Sequence, residues 1–100
     1  MSLGHDRERA WVKRNREDGA FAMRAPASLG VCDVVVIKKG EPVYLDELKA
    51  NKDGGPYMNF RPADRAALLE AAEKAGAIAR LVYWPVRSNP LVILSEAWPK

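Results

Sequence analysis

Histidine and cysteine each occur once, as His5 and Cys32, in a chain of 100 residues. A lone thiol closes no intrachain disulfide and builds no thiolate metal cage, which excludes a stapled secreted scaffold and points to a reducing, intracellular setting. A lone histidine close to a chain end, where fraying is common, argues against a histidine-rich metal site and against a Ser-His-Asp triad. Hydrophobic runs are short. None approaches the roughly 18 residues of a membrane span, and residues 1–8 turn polar at once, so neither a transmembrane helix nor a signal peptide is expected. Repeats, low-complexity tracts and long linkers are also missing.

What remains is an ordinary globular composition, 48% hydrophobic and 29% charged, at a length that fits one domain over residues 1–100. A core of this size is small, and self-association is a ready way to enlarge it. The formal net charge is only +3, but the basic residues cluster: Arg7, Arg9, Lys13, Arg14 and Arg16, then Lys38 and Lys39, then Lys49 and Lys52. Such clustering fits a polyanion partner and fits equally a solvated helix face, because charge bears on association rather than fold.

Local signals give an α-β-β-β-α-β-β order. Asp6 is suited to cap a first helix with Ala10, Trp11 and Val12 on its apolar side and Gly19 just past its end. Phe21–Arg24 reads as a short strand, broken by Pro26, Ser28 and Gly30. The β-branched run Val34–Ile37 reads as a strand buried on both faces, followed by a tight turn at Gly40 and a returning strand over residues 42–50. Residues 51–60 form a loop. Pro62–Ala75 reads as a helix with Leu68, Leu69, Ala72 and Ala75 on one face and Gly76 at its end. Residues 77–84 and Leu91–Leu94 supply two further strands.

A hairpin centred on Gly40 pairs residues whose numbers sum to about 80, which sets Asp33 opposite Glu47. Lys49 shares their side by the period-2 rule, whereas Asp46 faces the other way and reads as structural. Two carboxylates at the end of an apolar surface are costly unless paired or bridged by a cation, and a hard divalent metal such as Mg²⁺ takes such oxygen ligands. A lysine beside them is suited to orient a metal-bound water or to stabilise charge on a phosphate. The same three groups also fit a plain salt bridge at a sheet edge, an interaction of small stabilising value.

Asp33, with Glu47-Leu48-Lys49 fourteen residues on, resembles the D-(x)n-E-x-K signature of the restriction-endonuclease-like nuclease superfamily. Arg7-Glu8-Arg9, Arg24-Ala25-Pro26-Ala27-Ser28, Cys32-Asp33-Val34-Val35, Asp46-Glu47-Leu48-Lys49-Ala50 and Tyr57 resemble, in this order, the archaeal-type Holliday-junction resolvases. Cys32 departs from the pattern, standing where many members have proline. The resemblance implies an α-β-β-β-α-β core, with helices flanking a central mixed sheet. It also implies that Asp33, Glu47 and the Leu48 carbonyl hold a divalent metal, with Glu8 reaching it from the first helix. Lys49 would position the attacking water, and Arg24 and Ser28 would contact the scissile phosphate. Read singly, Glu8 is one acid of a charged helix, Arg24 an ion-pair partner and Ser28 a turn residue. Tyr57 is open to base stacking or to the core, and Phe60 fits the core better.

The resulting expectation is an intracellular, DNA-associated endodeoxyribonuclease that resolves four-way junctions as a homodimer. It would use Mg²⁺, for which Mn²⁺ can substitute, and no organic cofactor. Contacts to DNA are expected from Arg7, Arg9, Lys13, Arg14 and Lys52, with Tyr57 a further candidate. Leu81, Tyr83, Trp84, Leu91, Val92, Ile93, Leu94 and Trp98 are available for core strands and for a dimer interface. The rivals are a related nuclease acting on flaps or damaged duplex, and a junction-binding protein that does not cut.

Overall fold

A computed structural model describes residues 3–26 and 30–99. Helix α1 (Leu3–Glu17) is followed by strands β1 (Phe21–Arg24), β2 (Val34–Ile37) and β3 (Tyr44–Lys49). Helix α2 (Pro62–Ala75), strands β4 (Ile78–Tyr83) and β5 (Leu91–Leu94) and a short 3₁₀ turn (Ser95–Ala97) complete the described elements. The five strands lie in the order β1-β2-β3-β4-β5. All neighbours are antiparallel except β3 and β4, which run parallel because α2 carries the chain back across the sheet.

The β2–β3 register is the one the Gly40 turn dictates. Val34 pairs with Asp46, Val35 with Leu45 and Val36 with Tyr44, each pair summing to 80. Gly40 adopts φ +81°, a left-handed conformation that favours glycine, and the Glu41 amide closes the turn on the Lys38 carbonyl at 3.1 Å.

Each face of the sheet carries a core. Trp11 and Val12 of α1 pack on Ala22, Val34, Val36, Leu48, Val82 and Trp84. On the opposite face Leu68 and Ala72 of α2 meet Cys32, Phe60, Ala79, Leu81 and Trp98. Phe60 is buried, as its sequence context favours, and its ring meets that of Trp98 edge to face at 5.1 Å.

Four local expectations are corrected. The first helix begins at Leu3, so Asp6 lies in its first turn, ion-paired with Arg9 at 3.7 Å, rather than capping it. Strand β2 is not buried on both faces, because α2 covers β3 and β4 and leaves Ile37 exposed. The buried stripe of α2 is Arg65, Leu68 and Ala72, with Leu69 and Ala75 turned to solvent. The returning strand occupies Tyr44–Lys49 rather than residues 42–50.

Candidate active site

Strand β1 stops at Arg24 and β2 starts at Val34, and an open cleft of about 480 Å³ lies at that end of the sheet. Its walls include Glu8 from α1, Arg24 from β1, Asp33 just before β2 and Glu47 from β3. Four residues separated widely in sequence thus share one polar cavity. The β2–β3 register is the cause: it aligns the start of β2 with the middle of β3, and the Asp33 amide continues the ladder to the Asp46 carbonyl at 2.9 Å.

Within the cleft, Asp33 Oδ2 accepts a hydrogen bond from the Leu48 amide at 2.8 Å, which fixes this carboxylate against β3. Burial, then a hydrogen bond to Asp33 and its negative charge, push the Glu47 carboxyl up to about 9, against the opposing pull of Lys49. The Lys49 ammonium lies 3.7 Å from Glu47 Oε2 and donates to the Asn59 carbonyl at 3.0 Å, so it stands beside the acid pair rather than in the cleft wall. Glu8 accepts from Arg24 Nε at 3.0 Å. Cys32 is buried next to the acids, and burial followed by the charges of Asp33, Glu47 and Asp46 raises its thiol to about 11, which removes it as a nucleophile at neutral pH.

Among the described residues no group of three acids, histidines or cysteines converges as a ready metal ligand set. Glu8 is engaged by Arg24, which leaves Asp33 and Glu47 as the adjacent pair. That pair suits a hard divalent ion that keeps several waters and takes one or two carboxylates. A buried carboxyl forced to retain its proton beside a second carboxylate is a group short of positive charge.

Asp46 is fully buried on the other side of β3, as alternation requires. It accepts from Trp11 Nε1 at 2.8 Å and from Arg80 Nε and Nη2 at 2.7 Å each, and the guanidinium of Arg80 lies 3.8 Å from the centre of the Tyr44 ring. Sequence reasoning does not find the role of Arg80. It depends on a parallel β3–β4 pairing that no short-range pattern encodes.

The residues expected to meet DNA are distributed unevenly. Arg7 is half-buried, stacked 4.6 Å from the Trp84 ring centre and donating to the Pro85 carbonyl at 3.1 Å. Arg14 also lies over Trp84, at 5.5 Å, but is exposed. Arg9 and Lys13 line a groove between α1 and β1 together with Arg16 and Arg24, and Lys52 is exposed on the loop after β3. Arg16, a member of the same basic cluster in the sequence though not among the expected DNA contacts, joins this groove. Tyr57 packs against the α2-side core beneath the Arg65 guanidinium. Ser28 lies outside the described residues.

Trp84 and Trp98 are buried within the chain, as is Leu81, whereas Leu91, Val92 and Leu94 of β5 are exposed. No helix is long and apolar enough to cross a membrane among the described residues.

The chain is similar to the solved Archaeoglobus fulgidus Hjc, described as a Holliday junction resolvase from an archaeal hyperthermophile. The TM-score is 0.76 at 19% identity, over 95% of this chain and 75% of that one. A search of curated proteins gave no match. The fold is restriction-endonuclease-like. The family model for the archaeal Holliday junction resolvase (Hjc) matches residues 1–97, and the chain belongs to that family.

Proposed function

We propose that this junction-resolving nuclease acts as a single domain whose catalytic centre is the Glu8, Arg24, Asp33 and Glu47 cleft, with Lys49 behind it. The observation that carries the reading is the convergence of these residues, from α1, β1, β3 and the segment just before β2, at one end of the sheet. The cofactor is a divalent cation, Mg²⁺ by preference, held by Asp33 and Glu47, with the Leu48 carbonyl and Glu8 as further oxygen donors. Bound there, it supplies a Lewis acid and a water acidified for attack on a phosphodiester.

The chain's own groups do the rest. Asp33, tied to the Leu48 amide, holds one carboxylate rigidly. Lys49, anchored on Asn59, orients the Glu47 carboxylate and the incoming water. Arg24, paired with Glu8 and about two-fifths exposed, is placed to exchange that partner for a phosphate oxygen. Ser28 is assigned to the same phosphate by family pattern. Arg9, Lys13 and Arg16 extend positive charge from Arg24 along the α1–β1 groove, a path suited to a DNA backbone. Arg14 and Lys52 add peripheral charge; Arg7 and Tyr57 contribute by holding the scaffold.

Two cuts on opposite strands of a junction require two such clefts, and therefore two chains. The exposed β5 side chains Val92 and Leu94, with Ile78, provide an apolar face for a homodimer. The test is cleavage of a mobile four-way junction with added Mg²⁺ and with EDTA, beside a flap and a linear duplex. Metal-dependent cutting confined to the junction supports the proposal. Equal cutting of flaps points to the broader nuclease, and binding without cutting to an architectural protein.

A further inference from the structure

Asp46 is a fully buried carboxylate in a chain with little core to spare. Its bidentate pairing with Arg80 is of doubtful worth as a stabiliser, since a buried ion pair loses on desolvation about what it gains, and well-packed apolar residues often serve as well. What an apolar substitute lacks is direction. The Asp46 carboxylate accepts from Trp11 as well as Arg80, so it links α1, β3 and β4 through bonds of 2.7–2.8 Å.

The ends of this link matter. Asp46 is the residue before Glu47 on β3. Trp11 is three residues after Glu8 on α1, so the two side chains leave neighbouring positions on the helix surface. Trp11 is held further by an edge-to-face contact with Trp84, with ring centres 6.3 Å apart. A single indole hydrogen bond therefore spans from beside one acid of the cleft to one turn from another.

We propose that the Trp11–Asp46–Arg80 hydrogen-bond chain sets the rotation and height of α1 on the sheet, so that Glu8 and its partner Arg24 meet Asp33 and Glu47 in working geometry. The three are positioning residues, and the inference rests on the reading of that cleft as the catalytic centre. Loss of the indole donor leaves α1 packed but free to turn, and a misplacement of about 1 Å costs on the order of 100-fold in rate.

The experiment compares Trp11→Phe and Asp46→Asn with Val36→Ala, a truncation in the same core that removes no hydrogen bond of the link and lines no part of the cleft. Thermal midpoint, junction affinity, single-turnover cleavage and Mn²⁺ binding to the free protein by calorimetry are measured for each. Trp11→Phe is expected to lower cleavage by about 10- to 100-fold and to weaken Mn²⁺ binding in the free protein, with junction affinity unchanged. Asp46→Asn, which offers one acceptor oxygen where two served, should repeat the pattern and stands in if Trp11→Phe does not fold. Val36→Ala should lower the midpoint while leaving cleavage and Mn²⁺ binding near wild type. Cleavage and Mn²⁺ binding that follow the midpoint alike in all three variants, or that stay at wild-type values in Trp11→Phe, overturn the inference. A wild-type protein that does not cut, or an Asp33→Ala variant that still does, overturns the reading of the cleft instead.

Discussion

Asp46 and Glu47 are neighbours on β3 yet serve opposite sides of the sheet: Asp46 is locked by Trp11 and Arg80, while Glu47 faces Asp33 in the cleft. One is satisfied by three donors. The other sits beside a second acid. The two carboxylates should accordingly respond in opposite ways to neutralisation, the first losing order and the second losing only chemistry.

Asp33→Ala, Glu47→Ala and Lys49→Ala should each lower junction cleavage by about 100-fold or more, the scale on which single preorganised charge-stabilising groups act. Junction affinity should be retained in a gel-shift assay if it rests, as proposed, on distributed basic contacts, and carboxylate removal is expected to tighten it by relieving repulsion. Near wild-type cleavage by any of the three removes that residue from the mechanism.

The Glu47 carboxyl gives a pH prediction for protein held in EDTA. Its folded value of about 9 lies above the ordinary 4.5, chiefly through burial and the nearby Asp33. The unfolded chain therefore releases this proton first as pH rises, and stability from this group, full below 4.5, is lost progressively up to about 9. Glu47→Gln keeps the shape and carries no charge. Its thermal midpoint should exceed that of wild type by an amount that grows with pH across this window; an offset that does not change with pH there contradicts the assigned environment.

Affinity for the junction should fall steeply with salt. Lys13→Ala or Arg16→Ala, in the α1–β1 groove, should each reduce the slope of log affinity against log salt by about one unit per phosphate left without its cation. Scrambling the arm sequences should leave affinity unchanged if, as proposed, the contacts run to the DNA backbone rather than to the bases. Arg7→Ala should instead lower the thermal midpoint, because its guanidinium is spent on Trp84 and the Pro85 carbonyl.

The late apolar residues divide between two uses. Trp98 is buried against Phe60 and donates to the Ile93 carbonyl at 3.1 Å, so Trp98→Ala should cost about 3–5 kcal/mol of stability in denaturant unfolding. Val92→Lys, on an exposed β5 position, should leave the fold intact and reduce the mass measured by light scattering from dimer to monomer. A monomeric wild type that nicks both strands of one junction equally would refute the dimer.

Much of this site is written in short-range sequence. The Gly40 turn fixes the β2–β3 register, and with it the meeting of Asp33 and Glu47 and the opposite placement of Asp46, because strand geometry leaves no other parity. Helix α2 is bounded by Pro62 and Gly76, both of which act locally. What stayed hidden depends on tertiary packing. Arg80 reaches Asp46 only through a crossover, Leu69 is exposed because α2 lays down a narrow stripe, and Arg7 is drawn from the basic row by Trp84 far along the chain.

The most direct test of the central claim is single-turnover cleavage of a mobile four-way junction labelled on each strand in turn, with Mg²⁺ and with EDTA, by wild type and Glu47→Ala. Paired nicks on opposing strands, present only with Mg²⁺ and lost in the variant, are the predicted result. Cleavage that persists in EDTA, or that the variant performs at the wild-type rate, would contradict it.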